Sequence, residues 1–239
     1  MSILPQPLRQ ALKHVVQGLS NALPGSCLLC AEDSGSRVIC ADCLAELPGM
    51  PPQCCPSCAE QTSYGERCGA CLHKAPHFDK VVAGFRYDFP VDRIIHSLKY
   101  GHQLSVAEWL GERLSTQLTA SDHDLIIPLP LHPARLLERG FNQSMEIARA
   151  LGKALNRPVE YHHLQRTRST RPQADLPHKE RHKNVAGAFE CRKDYTGQRI
   201  LLVDDVMTTG STLNECARIL KIHGAETVSV AVAARTLKH

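Results

Sequence analysis

Long apolar segments are missing from this sequence of 239 residues. No run approaches the ~18 consecutive apolar residues of a membrane-spanning helix. Near the start, Arg9, Lys13 and His14 interrupt the apolar positions, so no secretory signal core forms. We therefore expect a cytoplasmic protein. The apolar spacing within residues 1–24 predicts an amphipathic helix, which either packs on its own domain or lies on a membrane or a partner.

A large excess of one charge sign is also missing, since the net charge is only +4 with histidine neutral. Residues 161–183 hold six Lys or Arg against two acids, and Tyr161 is their one aromatic residue. This basic segment predicts either a mobile loop that covers a charged ligand or a surface for nucleic-acid phosphates. Its shortage of aromatic side chains argues against sequence-independent binding of single strands.

Cysteine, in contrast, is abundant, with eleven residues in a chain that shows no export signal. This combination predicts metal binding rather than disulfides. Eight of the cysteines form C-x-x-C pairs, and each member of the second two pairs lies 28 residues after its counterpart in the first two. The four pairs are Cys27 with Cys30, Cys40 with Cys43, Cys55 with Cys58, and Cys68 with Cys71.

The repeat predicts a duplicated metal unit, because four thiolates are the tetrahedral ligand set of structural zinc. Sequential pairing gives one Zn²⁺ in each half and two structural ions in all. A cross-braced arrangement, in which the first and third pairs share an ion, is the main alternative. Iron–sulfur ligation is a further one, which two matching ribbons disfavour. Cys54 adjoins Cys55 and could compete with it as a ligand.

A different pattern begins with the apolar residues 200–203, which are typical of a strand buried on both faces. Asp204 and Asp205 follow, and then a turn of hydroxyl residues opens a helical pattern. Ligands of α/β sheets bind beyond the carboxyl ends of strands, and a glycine turn before a helix offers N–H groups to an anion. We therefore predict a phosphate in the turn and a metal or sugar hydroxyls at the acids. A buried strand with a simple helix cap is the alternative.

The residues of this turn, called the signature turn below, are Thr208, Thr209, Gly210, Ser211 and Thr212. A second anion site is predicted after residues 125–130, another buried strand, which leads into a proline-rich loop. The loop carries Arg135, Arg139 and Gly140 ahead of a helical pattern. Arginines and a glycine before a helix suit pyrophosphate, although solvated loop cations are the alternative.

Strand patterns at residues 81–87, 125–130, 200–203 and 228–232 alternate with helical patterns. This alternation predicts an α/β fold with a parallel sheet. We divide the chain into an N-terminal amphipathic helix, a cysteine-rich module and an α/β domain, at residues 1–24, 25–76 and 77–239.

The order of residues from the apolar strand through the signature turn resembles the phosphoribosyl pyrophosphate (PRPP) signature of type I phosphoribosyltransferases. Residues 27–236 as a whole are similar to the ComF family of bacterial proteins. The resemblance includes the double zinc ribbon, residues 95–100 and residues 139–144. In the basic segment it includes Gln173, Leu176 and Arg181, and directly after the segment it includes Asn184.

The resemblance implies a type I phosphoribosyltransferase fold, a mostly parallel sheet flanked by helices, preceded by a small double zinc ribbon with four cysteines at each metal site. It implies that Asp204 and Asp205, as catalytic residues, hold Mg²⁺ mostly through water, while the metal bridges the pyrophosphate and ribose hydroxyls of PRPP. The signature turn would hold the 5′-phosphate. The pyrophosphate would be held by Arg135, Arg139 and Gly140. Gln173, Arg181 and Asn184 would lie in a flexible loop.

The ComF family is associated with natural transformation, in which single-stranded DNA crosses the inner membrane, or with growth on DNA. We therefore expect a PRPP-binding protein of DNA uptake or use, cytoplasmic or peripheral to the inner membrane. Its candidate partners are single-stranded DNA and the DNA-uptake machinery. A non-catalytic DNA-binding adaptor that senses PRPP and a nucleotide-salvage phosphoribosyltransferase are the alternatives.

Thr208 is a departure from the purine-salvage enzymes, which carry an aspartate at this position. The difference argues against purine salvage, because no carboxylate remains there to act as a general base. Orotate and glutamine-dependent relatives also lack this aspartate, so the sequence leaves transfer chemistry open.

Overall fold

The centre of the protein is a sheet of four parallel strands in a computed structural model that describes residues 25–168, 185 and 187–238. The predicted helix at residues 1–24 and the predicted loop residues Gln173, Arg181 and Asn184 lie outside the described residues. Within the described part of the chain, no helix is both long and apolar enough to cross a membrane.

The strands are β1 (Gly25–Ser26), β2 (Asp33–Gly35), β3 (Lys80–Arg86), β4 (Leu125–Pro128), β5 (Leu164–Arg166), β6 (Phe189–Cys191), β7 (Arg199–Met207) and β8 (Thr227–Arg235). The helices are α1 (Ala41–Ala45), α2 (Gly69–His73), α3 (Val91–Gly101), α4 (Leu104–Ser115), α5 (Pro133–Arg139), α6 (Gln143–Leu155) and α7 (Ser211–Ile222), with a short 3₁₀ turn at Ala120–Asp122. The central sheet has the order β3–β8–β7–β4. Two short antiparallel pairs, β1 with β2 and β5 with β6, complete the strands.

The described residues fall in two compact units, one that ends at Leu47 and one that begins at Pro48. The first unit holds the first two cysteine pairs, and the second holds the other two pairs together with the sheet. Cys55, Cys58 and Cys71 belong to the same apolar core as Phe78. The second half of the cysteine-rich module is therefore packed into the core of the α/β domain.

The two central strands explain the short continuous apolar runs of the sequence. Every residue of the run 200–203 is fully buried in β7, and residues 230–234 are fully buried in β8. Helix α7 packs on one side of these strands, while α4 and α6 pack on the other side of the sheet. The predicted parallel sheet with helices on its faces is confirmed. Strands that are covered on both faces need continuous apolar sequences, which accounts for these two runs.

Helix α5 corrects the prediction of a proline-rich loop that carries Arg135 and Arg139. Pro133 occupies the first turn of this helix, where its missing N–H costs nothing. The side chain of His132 caps the helix by accepting from the N–H of Ala134 at 3.2 Å. Gly140 then ends the helix with a φ of 77°. Both arginines therefore project from a helix, and only Gly140 lies in a turn.

Helix α6 is held with its first turn at the carboxyl edge of the sheet. Asn142 accepts from the N–H of Ser144 at 3.0 Å and donates to the carbonyl of Leu129, just after β4, at 3.0 Å. Along the helix, Gly111 of α4 leaves room for close approach, since a Cβ there would lie 2.6 Å from the Cβ of Ala150. These contacts fix the position of Ser144.

Candidate functional site

The two predicted acids lie near the carboxyl end of β7, where they contact different helices. Asp204 accepts a hydrogen bond from the hydroxyl of Ser144 in α6 at 2.8 Å. Asp205 forms an ion pair with Lys99 of α3, with 2.9 Å between Nζ and Oδ2. The acid pair therefore connects α3 and α6, two helices that both contact α4, at the carboxyl edge of the sheet.

The charges of this acid pair are only partly balanced by the protein. Burial raises the pKa of Asp204 to about 7, and the charge of Asp205 acts in the same direction. Burial alone would lower the pKa of Lys99, but the nearby carboxylates, Asp205 foremost, outweigh it and raise that pKa. Lys99 is therefore a firmly charged ammonium group, and two carboxylates share it.

The signature turn connects β7 directly to the start of α7. Gly210 has a φ of 73°, a left-handed conformation that favours glycine, and a Cβ at this position would also displace the terminal methyl of Met207, 2.4 Å away. The hydroxyls of Thr209 and Ser211 are 2.7 Å apart. The N–H groups at the start of α7 and these hydroxyls together form the kind of donor cluster that holds an anion.

The structure connects Arg139 to the acid pair through two sets of contacts. Its guanidinium donates to Gln143 at 3.2 Å, and Gln143 precedes Ser144. The same guanidinium lies 5.7 Å from the centre of the Tyr100 ring, and Tyr100 follows Lys99. Gly140 adjoins this arginine. Arg135 instead pairs with Glu138 of its own helix at 3.4 Å.

Two pairs of rings lie near Arg139, one through its contact with Tyr100 and the other at Phe141, two residues further along the chain. The rings of His96 and Tyr100 are 4.6 Å apart, and those of His102 and Phe141 are 5.4 Å apart. Tyr100 is 59% exposed. These five residues are called the Tyr100 patch below. It offers flat aromatic faces beside a cation.

The eight predicted cysteine ligands form two separate clusters in sequential pairs. One contains Cys27, Cys30, Cys40 and Cys43, and the other Cys55, Cys58, Cys68 and Cys71, with all sulfurs of a cluster within 4.8 Å of one another. The cross-braced alternative is thereby excluded. Cys54 is outside both clusters and donates to the carbonyl of Pro51 at 3.2 Å.

The spacing of the sulfurs fits zinc. Cys30 and Cys40 have sulfurs 3.8 Å apart, and those of Cys58 and Cys68 are 3.6 Å apart. A tetrahedral ion with Zn–S bonds of about 2.3 Å places its sulfurs about 3.8 Å apart. Burial alone would raise the pKa of Cys27, but N–H groups, first that of Cys40, lower it to about 6. Four thiolates without an open position suit a structural ion rather than a catalytic one.

The backbone of the two clusters shows the predicted duplication. Ala31 and Ala59, 28 residues apart, both have positive φ, at 64° and 56°. Cys27 donates to the carbonyl of Glu32 at 2.8 Å, and its counterpart Cys55 donates to that of Glu60 at 2.7 Å. The repeat in the sequence therefore corresponds to a repeat of local structure.

Arg235, at the end of β8, joins the second cysteine cluster to the signature turn. The side chain is only 6% exposed. It donates to the carbonyl of Cys58 at 3.2 Å and pairs with Glu60 at 3.1 Å. It also donates to the carbonyls of Met207, at 3.3 Å, and Thr208. A zinc-ligand segment and the phosphate-type turn are thus held by one buried cation.

Sequence reasoning did not assign roles to Ser144 or Arg235. For Lys99 it took a solvated side chain as the default, although a position at a helix end also allowed this lysine to reach a substrate. Each carried a signal. Lys99 lies four residues after Ile95, at the edge of the buried stripe of α3. Ser144 lies four residues before the buried Ala148 of α6. Arg235 directly follows the buried apolar run of β8. Asp204 and Asp205 follow the buried apolar run of β7 in the same way.

Comparisons with known proteins agree with this geometry. A family model described as a phosphoribosyl transferase domain matches residues 136–238, and one described as a double zinc ribbon domain matches residues 19–72. The chain is 32% identical over 225 residues to the DNA utilization protein YhgH of Escherichia coli O157:H7, which covers 90% of this chain and 99% of that protein. It is 31% identical over 203 residues to Competence protein F of Haemophilus influenzae, covering 80% and 88%. The chain belongs to the ComF family.

Membership of the ComF family confirms the resemblance stated from the sequence. The parallel sheet, the matched transferase domain and the two cysteine clusters likewise confirm a type I phosphoribosyltransferase fold with a zinc ribbon module. Among solved structures, a purine phosphoribosyltransferase from Pyrococcus horikoshii is 19% identical, with a TM-score of 0.32 over 65% of this chain and 77% of that one. A likeness at this level carries no argument about function.

The cluster geometry predicts the zinc content of this ComF-family protein. The purified chain should bind two zinc ions, and Cys68→Ser should reduce the number to one, because three thiolates hold the ion poorly. Metal analysis after gel filtration measures the ratio. Cys54→Ser is the matched control and should retain both ions, since Cys54 lies outside the clusters. Loss of zinc from the control would contradict the assignment.

Arg235→Met should destabilise the second unit by about 3–5 kcal/mol, because Glu60 and several carbonyls would lose a buried partner. Urea unfolding of the zinc-loaded protein measures the change. Arg199→Met is the control, since it removes an arginine paired with Asp124 where both side chains are about 40% exposed. It should cost at most about 1 kcal/mol. Equal losses in the two variants would refute the special role of Arg235.

Proposed function

We propose that this ComF-family protein binds PRPP at the carboxyl edge of its sheet. The observation that carries the proposal is that three groups are directly connected: the acid pair, which suits a cation, and the signature turn and Arg139, which each suit an anion. Asp204 and Asp205 lie four and three residues before Thr208, which opens the signature turn. Arg139 is connected to the same acids through Gln143 and Ser144. A molecule with a phosphate, ribose hydroxyls and a pyrophosphate matches this sequence of features.

The 5′-phosphate of PRPP would occupy the signature turn. The donors there are the first N–H groups of α7 and the hydroxyls of Thr209 and Ser211. Because α7 is twelve residues long, its dipole adds a favourable potential for the phosphate charge. Gly210 permits the tight turn that brings these donors together.

The acid pair would hold the ribose and the metal that accompanies the pyrophosphate. Two carboxylates face the single ammonium of Lys99, so negative charge remains once Asp204, whose pKa is raised to about 7, loses its proton. Oxygen ligands of this kind suit magnesium. Bound Mg²⁺ would neutralise the pyrophosphate oxygens. Ser144 and Lys99 orient the carboxylates through the hydrogen bond and the ion pair already described.

Arg139 is the better supported of the two predicted pyrophosphate ligands. It is connected to the acid pair, and it lies directly before Gly140, whose turn precedes α6. Its charge would stabilise departing pyrophosphate if the ribosyl group is transferred. Arg135 could serve the same anion only after leaving Glu138, from which it is 3.4 Å away.

The cellular role follows from the names of the relatives. They are called DNA utilization and competence proteins, and the match covers 90% of this chain in the first case. We infer that PRPP binding by this protein serves the use or uptake of DNA. Contact with the uptake machinery at the inner membrane stays a prediction of the family resemblance.

A second candidate function is the binding of single-stranded DNA at the Tyr100 patch. Exposed aromatic faces stack on bases of any sequence, and a neighbouring arginine attracts the phosphates. Tyr100 is exposed, and Arg139 lies over its ring. In this form of the hypothesis, the protein is an adaptor that responds to PRPP next to its DNA-binding surface.

Titration calorimetry with PRPP tests the first function. Wild-type protein should bind PRPP in a Mg²⁺-dependent manner with a Kd below about 1 mM, and Asp204→Asn with Asp205→Asn should weaken binding at least about tenfold. Asp124→Asn is the control, because Asp124 precedes β4 at the opposite edge of the sheet. Absence of heat at millimolar PRPP would overturn the site. In cells, the double variant should lose transformation or growth on DNA.

Anisotropy of a labelled oligothymidine tests the second function. Tyr100→Ala should weaken binding by about 1–3 kcal/mol, as expected for the loss of one stacked base. Tyr64→Ala is the control, since Tyr64 is an 88% exposed tyrosine outside the patch. Unchanged affinity of Tyr100→Ala would exclude the patch as the surface for single strands.

A further inference from the structure

Glu60 connects the ligands of the second cysteine cluster to the buried cation at the signature turn. Its backbone N–H donates to the sulfur of Cys58, and its carbonyl accepts from the N–H of Cys55 at 2.7 Å. Its carboxylate pairs with the guanidinium of Arg235 at 3.1 Å. Glu60 is 8% exposed, so this contact is shielded from water. The position of the carboxylate is therefore set by the cysteines that would hold the zinc ion.

Arg235 continues the connection into the signature turn. Its guanidinium donates to the carbonyls of Met207, at 3.3 Å, and Thr208. The peptide group that contains the Thr208 carbonyl also contains the N–H of Thr209, which points the opposite way in a trans peptide. A hydrogen bond to the carbonyl polarises this N–H and makes it a stronger donor. Arg235 thus both orients the start of the turn and strengthens a donor within it.

A second contact joins the chain that follows this cluster to the helix that follows the turn. The N–H of His77, shortly after Cys71, donates to the side-chain oxygen of Asn214 at 2.7 Å. Asn214 is the fourth residue of α7, and its own N–H donates to the carbonyl of Gly210 at 2.8 Å. The signature turn is therefore tied to the second cluster at its start, by Arg235, and again beyond it.

The segment of the second cluster depends on its metal for a fixed structure. Its helix, α2, has five residues. Small modules of this kind fold only when the thiolates are joined by zinc. Without the ion, Glu60 would no longer be held opposite Arg235, and a buried guanidinium without a counter-charge is unstable. The arginine would then move toward water and release the carbonyls of the turn.

The first cluster is a copy of the second that lacks this connection. The N–H of Glu32 donates to the sulfur of Cys30, as that of Glu60 does to Cys58. The side chain of Glu32 is exposed, whereas that of Glu60 is paired with a buried arginine. The same ligand geometry therefore occurs once with the cation and once without it.

We propose that zinc at the second cysteine cluster and anion binding at the signature turn are positively coupled through Glu60 and Arg235, and that the first cluster takes no part. The proposal rests on the proposed function, because PRPP supplies the phosphate that the turn holds. By thermodynamic linkage, zinc raises the affinity for PRPP by the same factor by which PRPP raises the affinity for zinc. The second zinc ion is thus a regulator of the PRPP site as well as a structural ion.

A matched pair of variants of the full-length protein tests the coupling. Cys68→Ser and Cys40→Ser remove equivalent ligands, each of which directly precedes the helix of its cluster. In calorimetry with Mg²⁺, Cys68→Ser should weaken PRPP binding by about tenfold or more, within the usual range of coupling between sites. Cys40→Ser should leave it unchanged. Equal losses in the two variants, or no loss in Cys68→Ser, would overturn the proposal.

The reciprocal measurement uses Cys40→Ser, which retains only the second zinc ion. In competition with a chelator, PRPP with Mg²⁺ should tighten zinc binding by about tenfold, the same factor as before. Cys68→Ser retains only the first ion and corrects for zinc held by PRPP itself. Adding Glu60→Gln to Cys40→Ser keeps all four remaining thiolates but removes the charge that faces Arg235, so most of the gain should disappear. Zinc affinity that does not respond to PRPP would contradict the coupling.

Hydrogen exchange of the backbone N–H groups of residues 208–213 separates failure of the coupling from failure of the proposed function. Without any ligand, exchange there should be faster in Cys68→Ser than in wild-type protein, and unchanged in Cys40→Ser. If wild-type protein does not bind PRPP, the proposed function fails, yet this difference in exchange would still support the connection between zinc and the turn. Unchanged exchange in Cys68→Ser would overturn that connection. Equal PRPP affinity in all three proteins would leave the proposed function intact and refute the coupling.

Discussion

The buried guanidinium of Arg235 is the interaction on which the arrangement of this protein depends. A cation with 6% exposure is stable only when its charge and its donors are matched. Glu60 supplies the charge, and carbonyls at Cys58, Met207 and Thr208 accept the N–H groups. These partners come from the segment of the second cysteine cluster and from the end of β7 with the signature turn. Each part therefore completes the environment of the cation that holds the other part in place.

The parallel sheet explains why so many polar groups meet at one edge. Met207 is the register partner of Arg235, so β7 and β8 end side by side. The loop after β4 is held there by Asn142, and the first turn of α6 delivers Ser144 to Asp204. Continuous apolar strands position these groups rigidly, because none of the strands can slide without exposing its core face. The same edge thus holds the signature turn and the acid pair.

The parts of the fold predicted from the sequence are those set by local pattern. Buried strands, paired cysteines and the glycine turn each need a particular order of neighbouring residues, which can be read directly from the sequence. Helix α5 was missed because Pro133 and Gly140 are typical of loops as well as of helix ends. The roles of Lys99, Ser144 and Arg235 depend on partners 27 to 177 residues away in the sequence, as the contact of Arg235 with Cys58 illustrates. No local pattern contains such information.

The two cysteine clusters are copies in backbone but unequal in their surroundings. Ala59 is 6% exposed, whereas its counterpart Ala31 is exposed. Glu60 holds Arg235, whereas Glu32, at the equivalent position, is an exposed residue. A substitution at Ala59 or Glu60 should therefore disturb the core of the α/β domain as well as the metal site, whereas one at Ala31 or Glu32 changes an exposed side chain.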